Sequence, residues 1–381
     1  MPTPATIGGT RQRQTSSASN SQPTASVPFI RASAQHREPV GLDITRALTG
    51  SDQDLSVFDI PAYGYVRSIV LLVQATGGDG ASVVAAENAP FNVIKNIALT
   101  EPNGAQIAQF NSGFELYLAN KYGGYRSSIG ADPKSSPAFS SVSASGGNFS
   151  FLLRIPLELN LRDGLGSLPN QNAAATFKLR LALAASDTVY STAPATTLPN
   201  VRVRAFLEAW DQPEAATGGS VNATTPPAMN TTQFWTTQVI NYGAGQQTLR
   251  LTRVGNYIRN LILVGQRSSG TRVNGDADFP DPLTVQLDTR PLDIVERNNF
   301  KNQMWERTGF DGTVDGKNGL DSGVFVYDFM NEFDGTLGRE NRDLWLPTLT
   351  STRLELQGNF AQAGTLTVLT NDVAVAGTVF M

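Results

Sequence analysis

The 381-residue chain contains no cysteine and one histidine, His36. Without thiols there is neither a disulfide framework nor a thiolate metal site, and the composition carries no mark of redox compartment. General bases tuned near neutral pH and non-haem metal centres ordinarily recruit histidine. Hydrolase triads and cupin-type metal sites are therefore set aside, and His36 reads as a solvated residue of a polar N-terminal segment. Charge is scarce as well: Asp, Glu, Lys and Arg make up 16% of the chain and the net charge is −4, against about 25% charged residues in ordinary soluble domains. A surface of Ser, Thr, Asn, Gln and Gly gives no general reason to bind nucleic acid. No uninterrupted apolar run exceeds the length of Ile69–Val73, far short of the roughly 20 residues that cross a bilayer. The first 26 residues lack the apolar core of a signal peptide, which reads as a chain made and kept in cytoplasm.

Motifs that carry chemistry are equally thin. "GTLGRENR" at 335–342 and "RDGLGS" at 162–167 have no Lys-Ser/Thr ending and open no βαβ unit, so they cradle no phosphate. "NGDADFPDP" (Asn274, Asp276, Asp278, Asp281) and "DGTVDGKNGLDSG" (Asp311, Asp315, Asn318, Asp321) set oxygen ligands between glycines as calcium loops do. Neither closes with the required Glu, and both read equally as turns; no metal, cofactor or catalytic residue is assigned. A carboxylate pair of the glycosidase kind stays open, since the sequence does not say which acids face one another. Trp210, Trp235, Trp305 and Trp345 are spread along the chain. A carbohydrate platform needs them clustered, so core, interface or loop anchoring is the better reading.

What is present is repetition. "GYVRSIVLLVQ" at 64–74 returns as "GNYIRNLILVGQ" at 255–266. With Tyr65 on Tyr257, Arg67 falls on Arg259, Ile69 on Leu261, Leu71 on Leu263 and Gln74 on Gln266, at an offset of half the chain. Length alone predicts two domains, because single cores stop growing near 250–300 residues. The order strand, strand, strand, helix, strands is written twice, with expected helices at 112–122 and 292–310. "TFKLRLAL" at 176–183 alternates with period two: Phe177, Leu179, Leu181 and Leu183 on one face, Lys178 and Arg180 on the other. Residues 211–232 are Pro-, Gly- and Thr-rich and form a linker by composition. The organisation expected is an arm over 1–50, a first sandwich over 51–210, the linker over 211–232 and a second sandwich over 233–381. Short antiparallel strands must cover one sheet with another, and about eight strands per half with long excursions favour the jelly roll over an immunoglobulin-like sandwich. The fold class read from sequence is thus all-β, two fused eight-stranded jelly-roll β-sandwiches with short helices and an extended N-terminal arm. Up to Arg37 the arm carries Arg11, Arg13, Arg31 and Arg37 and no acid.

The duplicated "VFDIPAYGYVRSIVLLVQ", followed by "APFNVIKNIALTEPNGAQI" and the aromatic-rich "SGFELYLANKYGG", resembles the start of the major capsid protein of tectivirus-like tailless icosahedral phages, within the double jelly-roll lineage shared with adenovirus. The local match spans about residues 54–125. The resemblance implies a structural protein, not an enzyme, and three chains forming a homotrimeric, pseudo-hexameric capsomer. Its implied partners are neighbouring capsomers, minor capsid proteins and an internal lipid membrane, and its implied place is the virion, after synthesis in the host cytoplasm. Arg11, Arg13, Arg31 and Arg37 would then face inward, toward anionic headgroups or adjacent subunits. Two other readings stand beside it: a double jelly-roll protein that binds or cleaves glycans, and a minor coat or spike protein of the same virus.

Overall fold

The computed structural model describes Phe29 and residues 33–123, 132–159, 164–212, 231–272, 277–308, 320–329 and 342–374. The first half comprises β1 (Gln35–Ala47), β2 (Gln53–Asp54), β3 (Phe58–Asp59), β4 (Tyr65–Thr76), β5 (Val84–Ala85), β6 (Ile94–Thr100) and β7 (Gln106–Phe110). Helix α1 (Gly113–Tyr122), β8 (Phe149–Pro156), β9 (Leu168–Pro169), β10 (Lys178–Leu183), the short α2 (Ser186–Val189), β11 (Tyr190–Thr192) and β12 (Asn200–Trp210) follow. The second half comprises β13 (Gln233–Tyr242), β14 (Gly245–Leu251), β15 (Tyr257–Arg267), β16 (Leu283–Leu287), β17 (Arg290–Val295) and α3 (Arg297–Thr308). It continues with β18 (Val324–Asp328), β19 (Leu346–Pro347), β20 (Leu354–Phe360) and β21 (Gly364–Val373).

Where a strand buries one face, its sequence alternates. In β8, Phe149, Phe151, Leu153 and Ile155 point into the core while Ser150, Leu152 and Arg154 are half-buried on the other side. Strand β10 alternates over Lys178–Leu181, as its sequence predicts, and then buries Ala182 together with Leu181 and Leu183. Each such inward side chain contributes about 1.5–3 kcal/mol of burial. The order β1-β12-β4-β8, with β9 also on β4, faces β7-β6-β10-β2, with β3 also on β10. The second half repeats the plan: β13-β21-β15-β18 with β19 on β15, facing β14-β20-β16-β17. These are two jelly rolls.

The equivalence reaches individual residues. Tyr65 pairs with Trp210 on one side and Pro169 on the other; Tyr257 pairs with Val373 and Pro347. Val66 opposite Leu168 matches Ile258 opposite Leu346. The hairpins β6–β7 and β16–β17 slip register at one place, after Leu99–Ala108 and after Val285–Asp293.

Each sandwich has its own core, and the joint between them is itself apolar. Leu261, Leu263 and Val368 belong to the second core, whereas Ile262, Val264, Val324, Val326 and Leu369 turn outward into the first core around α1. That double burial explains why β15 is written as a continuous apolar run. Ser112 starts α1, its hydroxyl accepting from the Glu115 N–H at 3.3 Å, while the Glu115 carboxylate accepts from the Asn111 N–H at 2.7 Å. All ten residues of α1 are buried. Gly113 is required by close approach, since a Cβ there would lie 2.2 Å from the Phe91 carbonyl.

Two sequence expectations are corrected. The arm does not extend to residue 50, because β1 pairs with β12 from Gln35↔Trp210 to Ala47↔Asn200 and is the opening strand of the first jelly roll. It reads as an arm because it is an edge strand in which Leu42 is the buried side chain among those described. The expected helix 292–310 begins only at Arg297; Leu292–Val295 belong to β17, of which Asp293, Ile294 and Val295 pair with β16, and residues 309–310 lie outside the described residues.

Candidate assembly surfaces

The N-terminal segment, the start of β4 and the end of β12 converge on one aromatic cluster. Phe29 packs edge-on against Tyr65 and Trp210, with ring centroids 4.9 and 6.4 Å away. The Arg67 guanidinium stands 4.5 Å over the Trp210 ring and pairs with Glu158 at 2.7 Å, while the Trp210 indole N–H donates to the same carboxylate at 2.6 Å. Cation–π stacking and a shared acid thus fix the Trp210 ring against which Phe29 packs. Beside it runs an open groove lined by Tyr63, Gln171, Asp211 and Gln212.

The seam between the sandwiches is built on α1. Strand β13 lies parallel to β7, with Trp235 paired to Ala108, and this joins one sheet of each sandwich into a single sheet. The Thr237 hydroxyl reaches the Gln109 carbonyl at 3.1 Å and the Glu115 carboxylate at 2.8 Å. Lys121 of α1 forms a buried ion pair with Asp321, and Asn260 donates to the Tyr122 carbonyl at 3.2 Å. Burial pushes the Glu115 carboxyl up to about 7, against the opposing bonds from the Asn111 N–H and the Thr237 hydroxyl. Asp372 of β21 is also raised by burial, against the bonds it accepts from Arg253 at 2.8 Å and from Asn256.

Of the arm arginines, Arg11, Arg13 and Arg31 lie outside the described residues. Arg37 is a residue of β1, largely exposed, 3.2 Å from the Glu208 carboxylate that also pairs with Arg154. His36 stacks on Tyr63 at 4.4 Å. From the two acidic loops, Asp278 pairs with Arg267, Asp281 with Arg297 at 3.4 Å and Asp321 with Lys121; Asn274, Asp276, Asp311, Asp315 and Asn318 lie outside the described residues. The described acids of these loops thus take protein cations as partners. Trp210, Trp235 and Trp345 are buried and Trp305 is 53% exposed. Sequence reasoning missed the ion pairs of the seam, because they join residues as far apart as Lys121 and Asp321. Among the described residues, no helix is long and apolar enough to cross a membrane.

No family model and no curated protein matches the chain. Solved structures do. The major capsid protein of STIV aligns with a TM-score of 0.61 at 14% identity, over 90% of this chain and 97% of that chain. The atomic structure of Sulfolobus Turreted Icosahedral Virus gives 0.60 at 13% identity, over 91% and 94%. The major capsid protein of bacteriophage PM2 gives 0.53 at 12% identity, over 90% and 98%. The shared feature is the fold: this chain is a double jelly roll of the kind found in viral capsid proteins.

Proposed function

We propose that the chain is a major capsid protein, a structural component of an icosahedral virion that assembles as a homotrimer presenting six jelly rolls in a pseudo-hexagonal tile. The observation that carries this reading is the residue-level duplication of two sandwiches fused edge to edge, in a chain that covers nine-tenths or more of known capsid proteins and is covered by them in turn. A tile of this kind calls for no catalytic centre. Low charge and neutral polar loops suit many copies lying side by side without long-range repulsion. Residues before Phe29 depart from the Trp210 cluster as an arm on the inner side of the shell, where Arg11 and Arg13 meet an internal membrane's anionic headgroups or adjacent capsomers.

Light scattering on the purified chain tests the oligomer: a mass three times the 40.8 kDa chain supports the reading, and monomer at micromolar concentration overturns it. Copy number in purified particles separates the major coat role from a minor coat or spike role.

A further inference from the structure

The joint between the two sandwiches has a second, unfilled counterpart at the ends of the tandem. Within the chain, the outer edge of β7 in the first sandwich meets the outer edge of β13 in the second, with Ala108 opposite Trp235. By register, Ala108 is equivalent to Asp293, since both sit opposite the last residue before the same hairpin slip. Trp235, opposite Asn371, is equivalent to Arg37, opposite Glu208; counting from Tyr257↔Val373 and Tyr65↔Trp210 places Gln233 on Gln35 and Trp235 on Arg37. Strands β17 and β1 are the terminal strands of their sheets, so both edges are unpaired among the described residues.

We propose that β17 of one chain docks in parallel beside β1 of a second copy, repeating the β7–β13 joint between chains, with Asp293 opposite Arg37. This rests on the trimer reading and specifies its interface. Several independent features fit that occupant. The two equivalent residues carry opposite charge, where the internal joint uses a neutral pair. Asp293 accepts from the Tyr327 hydroxyl at 2.9 Å and from the adjacent Ile294 N–H at 2.8 Å. Unpaired edges of this kind template association. Pro39, at the place of Thr237, offers no further N–H, which limits the new joint to a short pairing like the internal one.

The flanking helix tells the same story. Helix α1 lies wholly buried against the outer face of the second sandwich, on Ile262, Val264 and Leu369. Its equivalent α3 exposes Trp305, and β17 exposes Ile294, at 53% and 63%. The equivalent face of the first sandwich presents Leu72 and Phe206, each only half-buried, at the places of Val264 and Leu369. Contact of the head-to-tail type either closes a ring or runs on as a filament; a two-sandwich chain repeating one step closes at three copies if the step is sixfold.

The native chain has no cysteine, so the joint can be trapped cleanly. Paired positions on adjacent strands lie about 5 Å apart, within disulfide reach. Chains bearing Arg37→Cys and chains bearing Asp293→Cys are co-expressed at full length with different tags and oxidised. The expected product is a covalent dimer holding one chain of each kind, with none from either variant alone; the doubly substituted chain should give a ladder ending at three. Separately, Arg37→Asp or Asp293→Arg alone should weaken trimerisation at least about tenfold, and the combined reversal should restore it. Trimers by light scattering without the mixed cross-link and without rescue overturn this interface while leaving the trimer standing. An unmodified chain that stays monomeric overturns both.

Discussion

Arg67 and Arg259 occupy the same bulge in their two sandwiches. Each is the one extra residue between two paired positions, Val66 and Ser68 in β4 and Ile258 and Asn260 in β15, opposite consecutive residues of the last strand. The Arg67 carbonyl accepts from the Leu157 N–H at 3.2 Å and the Arg259 carbonyl from the Phe329 N–H at 3.0 Å, each one residue past the pairs Ser68–Pro156 and Asn260–Asp328. Each guanidinium lies over a tryptophan, Trp210 or Trp345. Bulges re-aim side chains out of the alternation, and here the same device turns an arginine onto an aromatic at the same end of each sandwich. The partners differ: Arg67 pairs with Glu158, and Arg259 donates to Asn371.

Removing Arg67 should therefore expose an asymmetry within the Glu158 pair. Arg67→Ala takes from the buried Glu158 carboxylate its cation at 2.7 Å and from the Trp210 ring the guanidinium stacked on it, and should cost about 3 kcal/mol in urea unfolding. Adding Glu158→Gln should recover most of the loss. A double variant as unstable as the sum of the singles would show that the pair is not the source.

The seam should weaken as pH rises. Burial pushes the folded Glu115 carboxyl up to about 7 from its ordinary 4.5, so the folded state holds its proton more tightly than the unfolded chain. Stability from this group is fully present below about 4.5 and is lost as pH rises through about 7, a total of roughly 3 kcal/mol. Glu115→Gln keeps an acceptor for the Asn111 N–H and the Thr237 hydroxyl and removes the titration. Thermal midpoints of the unmodified chain minus those of Glu115→Gln should fall between pH 5 and 8; a flat difference would sink the assignment.

Gly64 precedes the repeated strand with φ +42°, and a Cβ there would sit 2.0 Å from the Trp210 carbonyl. Gly64→Ala should cost at least about 1 kcal/mol from backbone conformation alone, with the contact adding to it. Gly104, also at positive φ but with open space around its Cβ position, is the control and should lose only the conformational part. Equal unfolding midpoints for the two variants would contradict the close approach.

Truncation should separate folding from shell formation. Deleting residues 1–28 keeps Phe29 and all of β1, so trimers should form with unchanged thermal midpoint while shell closure or membrane association falls. Each arginine near an anionic surface contributes only about 1 kcal/mol, screened by salt, so the effect depends on several arms acting together. Deleting 1–37 instead removes Gln35, His36 and Arg37 from β1 and should also impair trimerisation. Complete shells from the 1–28 truncation, counted by negative-stain microscopy, would refute the arm's role.

The sequence by itself determined the duplication, the all-β class and the central strands. Residues 65–74 and 257–266 are buried on one or both faces, so selection for apolar side chains left the same words in both halves. β1 was illegible for the opposite reason: an edge strand with Leu42 as its buried described residue has the composition of a tail. Leu292–Val295 could continue a helix or end a hairpin, and only pairing of Ile294 with Thr284 decided it. The seam ion pair of Lys121 and Asp321, the twin bulges and the matching of Arg37 with Asp293 were likewise decided by tertiary structure. Periodicity records which face of a strand is buried, a local property that each residue carries. Register and partnership are set by contacts between strands from tens to well over a hundred residues apart, and one residue of slip inverts every face.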